Sequence, residues 1–303
     1  MEMRRWRWLV ALAAALALVG AACGDDEPTA GDGGDGGDGA ETQTFDPGTT
    51  MAELQERGQI TIGVKFDVPP FGFLNPQTDE VEGFDVDIGQ AIADELGVEP
   101  NFIEAISDNR IPFLQDGTAD LILSTMTITT DRDAEIDFSV PYFIAQGRIL
   151  VPEGSDIQGI EDLGGKKVCT ALGSTYEATI AEQAPDADLQ LVDSYSECLE
   201  LIQNGAVDAV STDDVILTGM IIQDDTLQMV GDELTVEPYG AGIAEGDTEF
   251  KEFVDGVIEA MKEDGRWQEL YDTWVGQYTG EDQEPPTMTL EEALELRPCE
   301  ETC

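Results

Sequence analysis

The chain has 303 residues, with 65 Asp and Glu against 14 Lys and Arg, no His, and a formal charge of −51. A surface this acidic repels phosphate backbones and excludes nucleic acid as a partner, and the lack of His removes Ser-His-Asp triads, Cys-His dyads and ordinary zinc sites. With 41% apolar and 7% aromatic residues there is still material for one large core or two smaller lobes, and the carboxylates read as a solvation layer suited to high salt.

Arg4, Arg5 and Arg7 precede an apolar run from Leu9 to Val19, then the small residues Gly20, Ala21 and Ala22, then Cys23. A secretory leader over residues 1–22 explains this order, because the run falls short of the ~20 apolar residues a spanning helix needs and no basic flank follows it. Ending in Cys, the segment resembles a bacterial lipoprotein signal, which implies that Cys23 carries the lipid, although Gly20 stands where that pattern usually has Leu. Cleavage removes Glu2 together with the arginines and takes the mature charge to about −53. Residues 23–50, rich in Gly and Asp without an apolar period, read as a self-repelling tether.

From Gln59 onward, β-branched runs alternate with helical patterns: ITIGVKF, FDVDIGQAIADELG, PNFIEAI, RIPFLQDG and ADLILST. A second series follows Gly147: RILVPE, KKVCTAL, TYEATIAEQA, DLQLV, YSECLELIQNG, VDAVSTD, DVILTGMIIQ and LQMVG. This grammar predicts α/β layers with mostly parallel sheets in two lobes, one from 51–146 plus 242–280 and the other from 147–241. Crossings near Gln146 to Arg148 and Gly240 to Gly242 are the expected hinges, where Gly absorbs rotation. The helical stretches FKEFVDGVIEAMKEDG and RWQELYDTWVG close the fold, with Trp267 and Trp274 as packing aromatics. In the extension 281–303, Thr289 and Glu292 form a capping box that opens a short amphipathic helix.

Setting Cys23 aside leaves four cysteines, an even number that favours disulfides in an exported chain, with three possible pairings. Cys169 ends a predicted strand and Cys198 lies on a following helix of the same segment, while Cys299 and Cys303 sit together in the tail. The expected pairing is therefore 169 with 198 and 299 with 303, with free or intermolecular thiols as the alternative for the tail.

GFDVDIGQAIADEL, from Gly83 to Leu96, resembles the signature of the family 3 solute-binding proteins of ABC importers, and GVKFDVPPFGF, SDNRIPFLQDG, DLILSTMTITTDR and GSTYE with VDAVSTDDVIL follow in the family's order and spacing. The resemblance implies a type II periplasmic-binding-protein-like fold, with an amino acid held in a cleft between two lobes. Such a ligand needs a cation fork for its α-carboxylate, an acceptor for its ammonium, and small donors close to the backbone. By resemblance, Arg132 is the fork, Asp213 receives the ammonium while Asp214 caps the next helix, and Ser124, Thr125, Thr127, Ser174 and Thr175 supply the small donors. Gly173, Ser174 and Thr175 also open a helix whose amides face the same carboxylate. Lys65 and Arg110 match cations that face the side-chain carboxylate in glutamate and aspartate receptors, and Ser107 adds a hydroxyl. No aromatic stands near Val68 to stack a neutral or basic ligand. The Cys169 and Cys198 pair with VDAVSTDD also resembles glutamate receptors of high-GC Gram-positive bacteria.

The expected function is therefore an extracytoplasmic, lipid-anchored, monomeric receptor that binds L-glutamate or a similar acidic amino acid and delivers it to a membrane permease with its ATPase subunits. No metal, cofactor or catalytic residue is expected. The alternatives are a ligand-binding sensor and a periplasmic dehydratase-like enzyme on the same fold.

Overall fold

The computed structural model describes residues 43–280 and 282–297. The predicted leader, the lipidation site Cys23 and the tail cysteines Cys299 and Cys303 lie outside the described residues. Helix α1 (Thr50–Arg57) starts at the last residue of the expected tether, capped by Thr49, whose hydroxyl accepts the Ala52 amide at 3.2 Å, and ended by Gly58 at φ 72°. Strand β1 (Gln59–Val64) follows, then a small antiparallel meander of β2 (Asp67–Val68), β3 (Gly72–Leu74) and β4 (Val81–Glu82). The sequence pattern does not predict this meander, because two or three residues carry too little alternation to be read.

Helix α2 (Phe84–Leu96) buries Phe84, Val86, Ile88, Ile92 and Leu96, and leads to β5 (Glu99–Glu104), α3 (Arg110–Gln115) and β6 (Leu121–Ile122). Strands β5 and β6 flank β1 in parallel, which is the predicted βαβ grammar. After α4 (Thr130–Asp133) and β7 (Asp137–Phe138), the long strand β8 (Phe143–Pro152) carries the chain into the second lobe. There β9 (Lys167–Ala171), α5 (Tyr176–Gln183), β10 (Asp188–Val192), α6 (Tyr195–Gln203), β11 (Ala209–Asp213), α7 (Asp214–Gln223), β12 (Leu227–Val230) and β13 (Val236–Tyr239) follow. Strands β10, β9 and β11 are parallel, and β8 and β12 close that sheet antiparallel. The return strand β14 (Gly242–Ile243) slots between β6 and β7, so the first sheet among the described residues runs β5-β1-β6-β14-β7. The architecture is thus the expected two-lobed α/β fold.

Two antiparallel strands make the crossing: residues 143–146 of β8 pair with β13, and β8 then continues unbroken past Gly147 into the second sheet. Neither Gly147 nor Gly240 has a positive φ, and at both the surroundings leave little room for a side chain. A Cβ on Gly147 would stand 2.4 Å from Thr235 Oγ1, and one on Gly240 2.8 Å from Ile128.

Helices α8 (Thr248–Asp264), α9 (Arg266–Tyr271) and α10 (Gln277–Thr279) pack back on the first lobe. Both tryptophans pack as expected: Trp267 is fully buried and donates to the Tyr142 carbonyl at 2.7 Å, and Trp274 donates to Asp87 Oδ2 at 2.6 Å. The extension ends in α11 (Leu290–Leu296), which carries the predicted capping box and inserts Ala293 into a core made by Leu114, Ile122, Ile128, Ile136 and Phe138. Among the described residues, no helix is long and apolar enough to cross a membrane.

Cys169 on β9 and Cys198 on α6 are bonded, with Cα atoms 5.6 Å apart, as the sequence leads one to expect. Both are fully buried, and the bond closes a 29-residue separation. Replacing both by Ser should lower stability by about 3 kcal/mol, seen as a lower midpoint in urea unfolding of the oxidised protein. An unchanged midpoint would contradict this.

Candidate functional site

The predicted ligand residues collect where the lobes meet. Lys65 follows β1, Arg110 opens α3, and Ser124 to Thr127 follow β6, so all three sites lie at the carboxyl ends of first-lobe strands or just beyond them. Lys65 is 2% exposed and its ammonium donates to Ser107 Oγ at 2.8 Å, while the Tyr195 ring lies 5.8 Å away from across the cleft. Arg110, also 2% exposed, donates through Nε to the Ser107 carbonyl, through Nη1 to the Ser124 and Thr125 carbonyls, and through Nη2 to the Gly173 carbonyl of the other lobe at 3.2 Å. Arg132 on α4 donates from Nη1 to the Thr127 carbonyl at 2.7 Å and from Nη2 to the same Gly173 carbonyl at 3.0 Å.

The hydroxyls divide. Ser124 is fully buried and donates to the Ala105 carbonyl at 2.8 Å, and Thr125 donates to the Ser124 carbonyl at 2.9 Å, so both protons are committed to main chain. Thr125 holds φ at +45°, a strained value for a β-branched residue. The strain is held by Asp85, whose Oδ2 accepts the Thr125 amide at 2.9 Å and whose Oδ1 accepts the Tyr142 hydroxyl at 2.9 Å. Asp85 lies inside the GFDVDIG signature, yet its spacing alone gives no hint that it pins the strand end.

From the second lobe, Ser174 lies 3.2 Å from Thr170 Oγ1, with its amide spent on the Ala171 carbonyl, and Thr175 donates to Glu237 Oε2 at 3.0 Å. Asp213 ends β11, is 3% exposed, and accepts the Tyr176 hydroxyl at 2.8 Å. Asp213 rather than the expected Asp214 is the N-cap residue of α7, without a side-chain cap bond, and Asp214, the first helical residue, accepts the Val215 amide of its own helix and the Gln146 amide of the crossing strand. Tyr195 and Glu237 belong to the site's surroundings but carry no motif, and Tyr176 stands within GSTYE with no role expected of it. Only the fold brings them near.

The lobes are in contact around this cluster. Asp67 Oδ2 accepts the Ser196 amide at 3.0 Å, and a Cβ on Gly173 would sit 2.7 Å from the Asp108 Cα. At φ +74° Gly173 also suits no other residue, so its backbone alone brings the two arginines and α5 together.

Burying these charges displaces their titration. Lys65 is lowered to about 7, first by burial and then by Arg110, and Arg110 is lowered to about 9 by burial and by Arg132. Burial raises Asp213 to about 8, with Glu237 adding to it. Among the described residues, none of Lys65, Arg110 and Arg132 forms an ion pair with a carboxylate. Buried cations without counter-ions are costly, and a closed cleft holding them is electrostatically suited to an anion with an ammonium opposite Asp213.

A two-lobed fold with convergent charges at the lobe junction defines a solute-binding protein. Residues 60–277 match the model of the bacterial extracellular solute-binding proteins, family 3, and the chain belongs to that family. It is 41% identical over 230 residues to the ABC transporter glutamine-binding protein GlnH of Bacillus subtilis, covering 75% of this chain and 84% of the relative. It is 34% identical over 237 residues to the glutamate-binding protein GluB of Corynebacterium efficiens, covering 73% and 80%. Among solved structures, an ancestral arginine-binding protein bound to glutamine superposes with a TM-score of 0.70 at 38% identity, covering 73% of this chain and 99% of that one. The chain is therefore an amino-acid substrate-binding protein of the ABC transporter type, extracytoplasmic by family.

Proposed function

We propose that this chain is the lipid-anchored receptor of an importer for an acidic amino acid, L-glutamate before aspartate, held on the outer face of the membrane by Cys23 and presenting its closed form to a permease. The carrying observation is that three cations, the buried Lys65 and Arg110 and the half-buried Arg132, meet at the lobe junction without carboxylate partners among the described residues. Arg132 clamps the α-carboxylate and Asp213 receives the ammonium. Lys65 with Ser107 faces the side-chain carboxylate. Arg110, whose donors already hold four main-chain carbonyls, braces the strand end and adds positive potential. Thr127, Ser174 and Thr175 line the carboxylate end, with Ser124 and Thr125 shaping it. The lobes, 51–146 with 242–280 and 147–241, close about the β8 and Gly240 crossings. The role is binding rather than catalysis, a reading supported by the similarity to glutamine- and glutamate-binding proteins.

Glutamine is the second reading, favoured by the GlnH similarity and by a Lys65 lowered to about 7, which tolerates a neutral amide. Proton linkage separates the two. In the open, solvated cleft Lys65 titrates near its ordinary value of about 10.4, while closure over a neutral side chain leaves it near 7. Closure over glutamine at pH 8 therefore releases about one proton, and glutamine affinity rises with pH above 7. A bound carboxylate keeps Lys65 charged, so glutamate binding releases none, and its affinity is flat over that range. Titration calorimetry at pH 8 in two buffers of different ionisation enthalpy reads the proton count directly. Tight glutamate binding without proton release supports the acidic-ligand reading; tighter glutamine binding with release replaces it, and no heat from either overturns the receptor for these ligands.

A further inference from the structure

The described part of the C-terminal segment comes up beside the ligand cleft at Arg297. Helix α11 is anchored on the first lobe through Ala293, and its last residues close over α4: the Arg297 carbonyl accepts both the amide and the hydroxyl of Thr130 at 3.1 Å. Thr130 lies two residues before Arg132. The Arg297 guanidinium then reaches past α4 to Glu237 on β13, with Nη2 2.9 Å from Oε1. Glu237 is 0% exposed, and its other oxygen accepts Thr175 at the opening of α5. Upstream, Gln283 donates to the Ile144 carbonyl of β8 at 3.2 Å, so the segment touches both strands of the crossing.

Glu237 is also a neighbour of the carboxylate clamp. Ile128, four residues before Arg132, donates its amide to the carbonyl of Pro238 at 2.8 Å, which lays β13 beside the loop that leads to α4. Of the charges around Arg132, Glu237 acts on it most strongly, and Arg297 opposes it. Glu237 accepts hydrogen bonds from Thr235 and Thr175 and is paired with Arg297, and Arg132 is the other cation near enough to feel its charge.

We infer that Arg297 is a positioning residue for the cleft: by pairing with Glu237 it keeps that carboxylate off Arg132 and leaves the Arg132 guanidinium for the ligand. The inference rests on the reading of Arg132 as the carboxylate clamp. Without Arg297, Glu237 draws Arg132 toward the crossing, away from the Gly173 carbonyl and from a bound carboxylate. Thr175, which donates to the same Glu237, moves with it. The extension that the sequence marks only as a short helix thus supplies a charge to the site's far side.

The test is a double-mutant cycle read by calorimetry with L-glutamate and L-glutamine on the chain from residue 24. In the Glu237 background, Arg297→Met should weaken binding about tenfold or more, whereas in the Glu237→Gln background the same change should cost less than about threefold. Arg297→Lys keeps the charge and should stay near the parent. Circular dichroism melts establish folding for each variant; if Arg297→Met does not fold, the Glu237→Gln pair and Arg297→Lys carry the test. Equal losses in both backgrounds would show that Arg297 acts by packing, and no loss in either would show that it does not act on the site; both overturn the inference while the parent still binds. A parent that binds neither amino acid overturns the receptor reading first and the inference with it.

Discussion

Arg132→Met is expected to raise the Kd for the preferred amino acid by about a thousandfold, close to 4 kcal/mol, with little change in the melting temperature of the ligand-free protein. The magnitude follows from what the guanidinium does. Two of its five N–H donors hold the Thr127 and Gly173 carbonyls, and the rest are left for a carboxylate in a dry cleft where each charge-assisted bond is strong. Arg110 differs, because its Nε, Nη1 and Nη2 all donate to main chain, so its loss should disturb the strand end of the first lobe as well as binding. Arg132→Lys should recover only part of the affinity, since a point charge cannot make the two parallel bonds or reach Gly173. Calorimetry with glutamate and glutamine, alongside thermal melts, measures both. A Kd within tenfold of the parent would remove Arg132 from the clamp role.

The distant surface carboxylates do not contradict an anion site. A charge of −51 spread over the chain is muted beyond about 8 Å at physiological salt, while Lys65, Arg110 and Arg132 act at contact distance inside a low-dielectric cleft. Closure without ligand would leave Lys65 lowered to about 7 and Asp213 raised to about 8, which is a penalty on the closed form. A zwitterion that supplies an anion to the cations and an ammonium to Asp213 removes that penalty. The ligand thus shifts the open and closed populations through its contacts in the closed state.

How much of this was legible beforehand depends on the range of the interaction. The βαβ order, the capping box at Thr289 and the Cys169 and Cys198 bond were legible from local patterns, whereas Lys65, Arg110, Arg132 and Asp213 could be singled out only through the resemblance to the family's motifs. The meander at β2 to β4 was not legible, because strands this short leave no period. The commitment of the Ser124 and Thr125 hydroxyls to main chain could not be read either, since a strand-end hydroxyl faces the cleft or the backbone according to a φ that only tertiary contacts with Asp85 impose. Glu237 is one of 65 acidic residues with nothing local to distinguish it. Its role comes from Thr175 and Arg297, residues 62 positions before it and 60 after it in the chain.

Gly219→Ala should all but abolish high-affinity binding while making the ligand-free protein slightly more stable. Gly219 lies inside α7, where Ala is the better helix former by about 0.8 kcal/mol, so a change confined to the second lobe would help folding. Closure is another matter, because a Cβ there would stand 1.8 Å from the Pro69 carbonyl oxygen of the other lobe. The obstacle is backbone against backbone, so no side-chain rotation relieves it, and the lobes must part by roughly 1.5 Å at that point to restore ordinary contact. The bonds from Arg110 and Arg132 to the Gly173 carbonyl, at 3.2 and 3.0 Å, have no such reserve, and neither does the Ser196 amide on Asp67. A Kd increase of about a hundredfold or more follows, with small-angle scattering that stays on the open form when ligand is added and a melting temperature that no longer climbs with ligand concentration. Because every ligand residue is untouched in this variant, lost affinity would place the selectivity in closure itself. Parent-like affinity would mean that the amino acid is held by the first lobe alone, and that the contact between Pro69 and α7 has no part in binding.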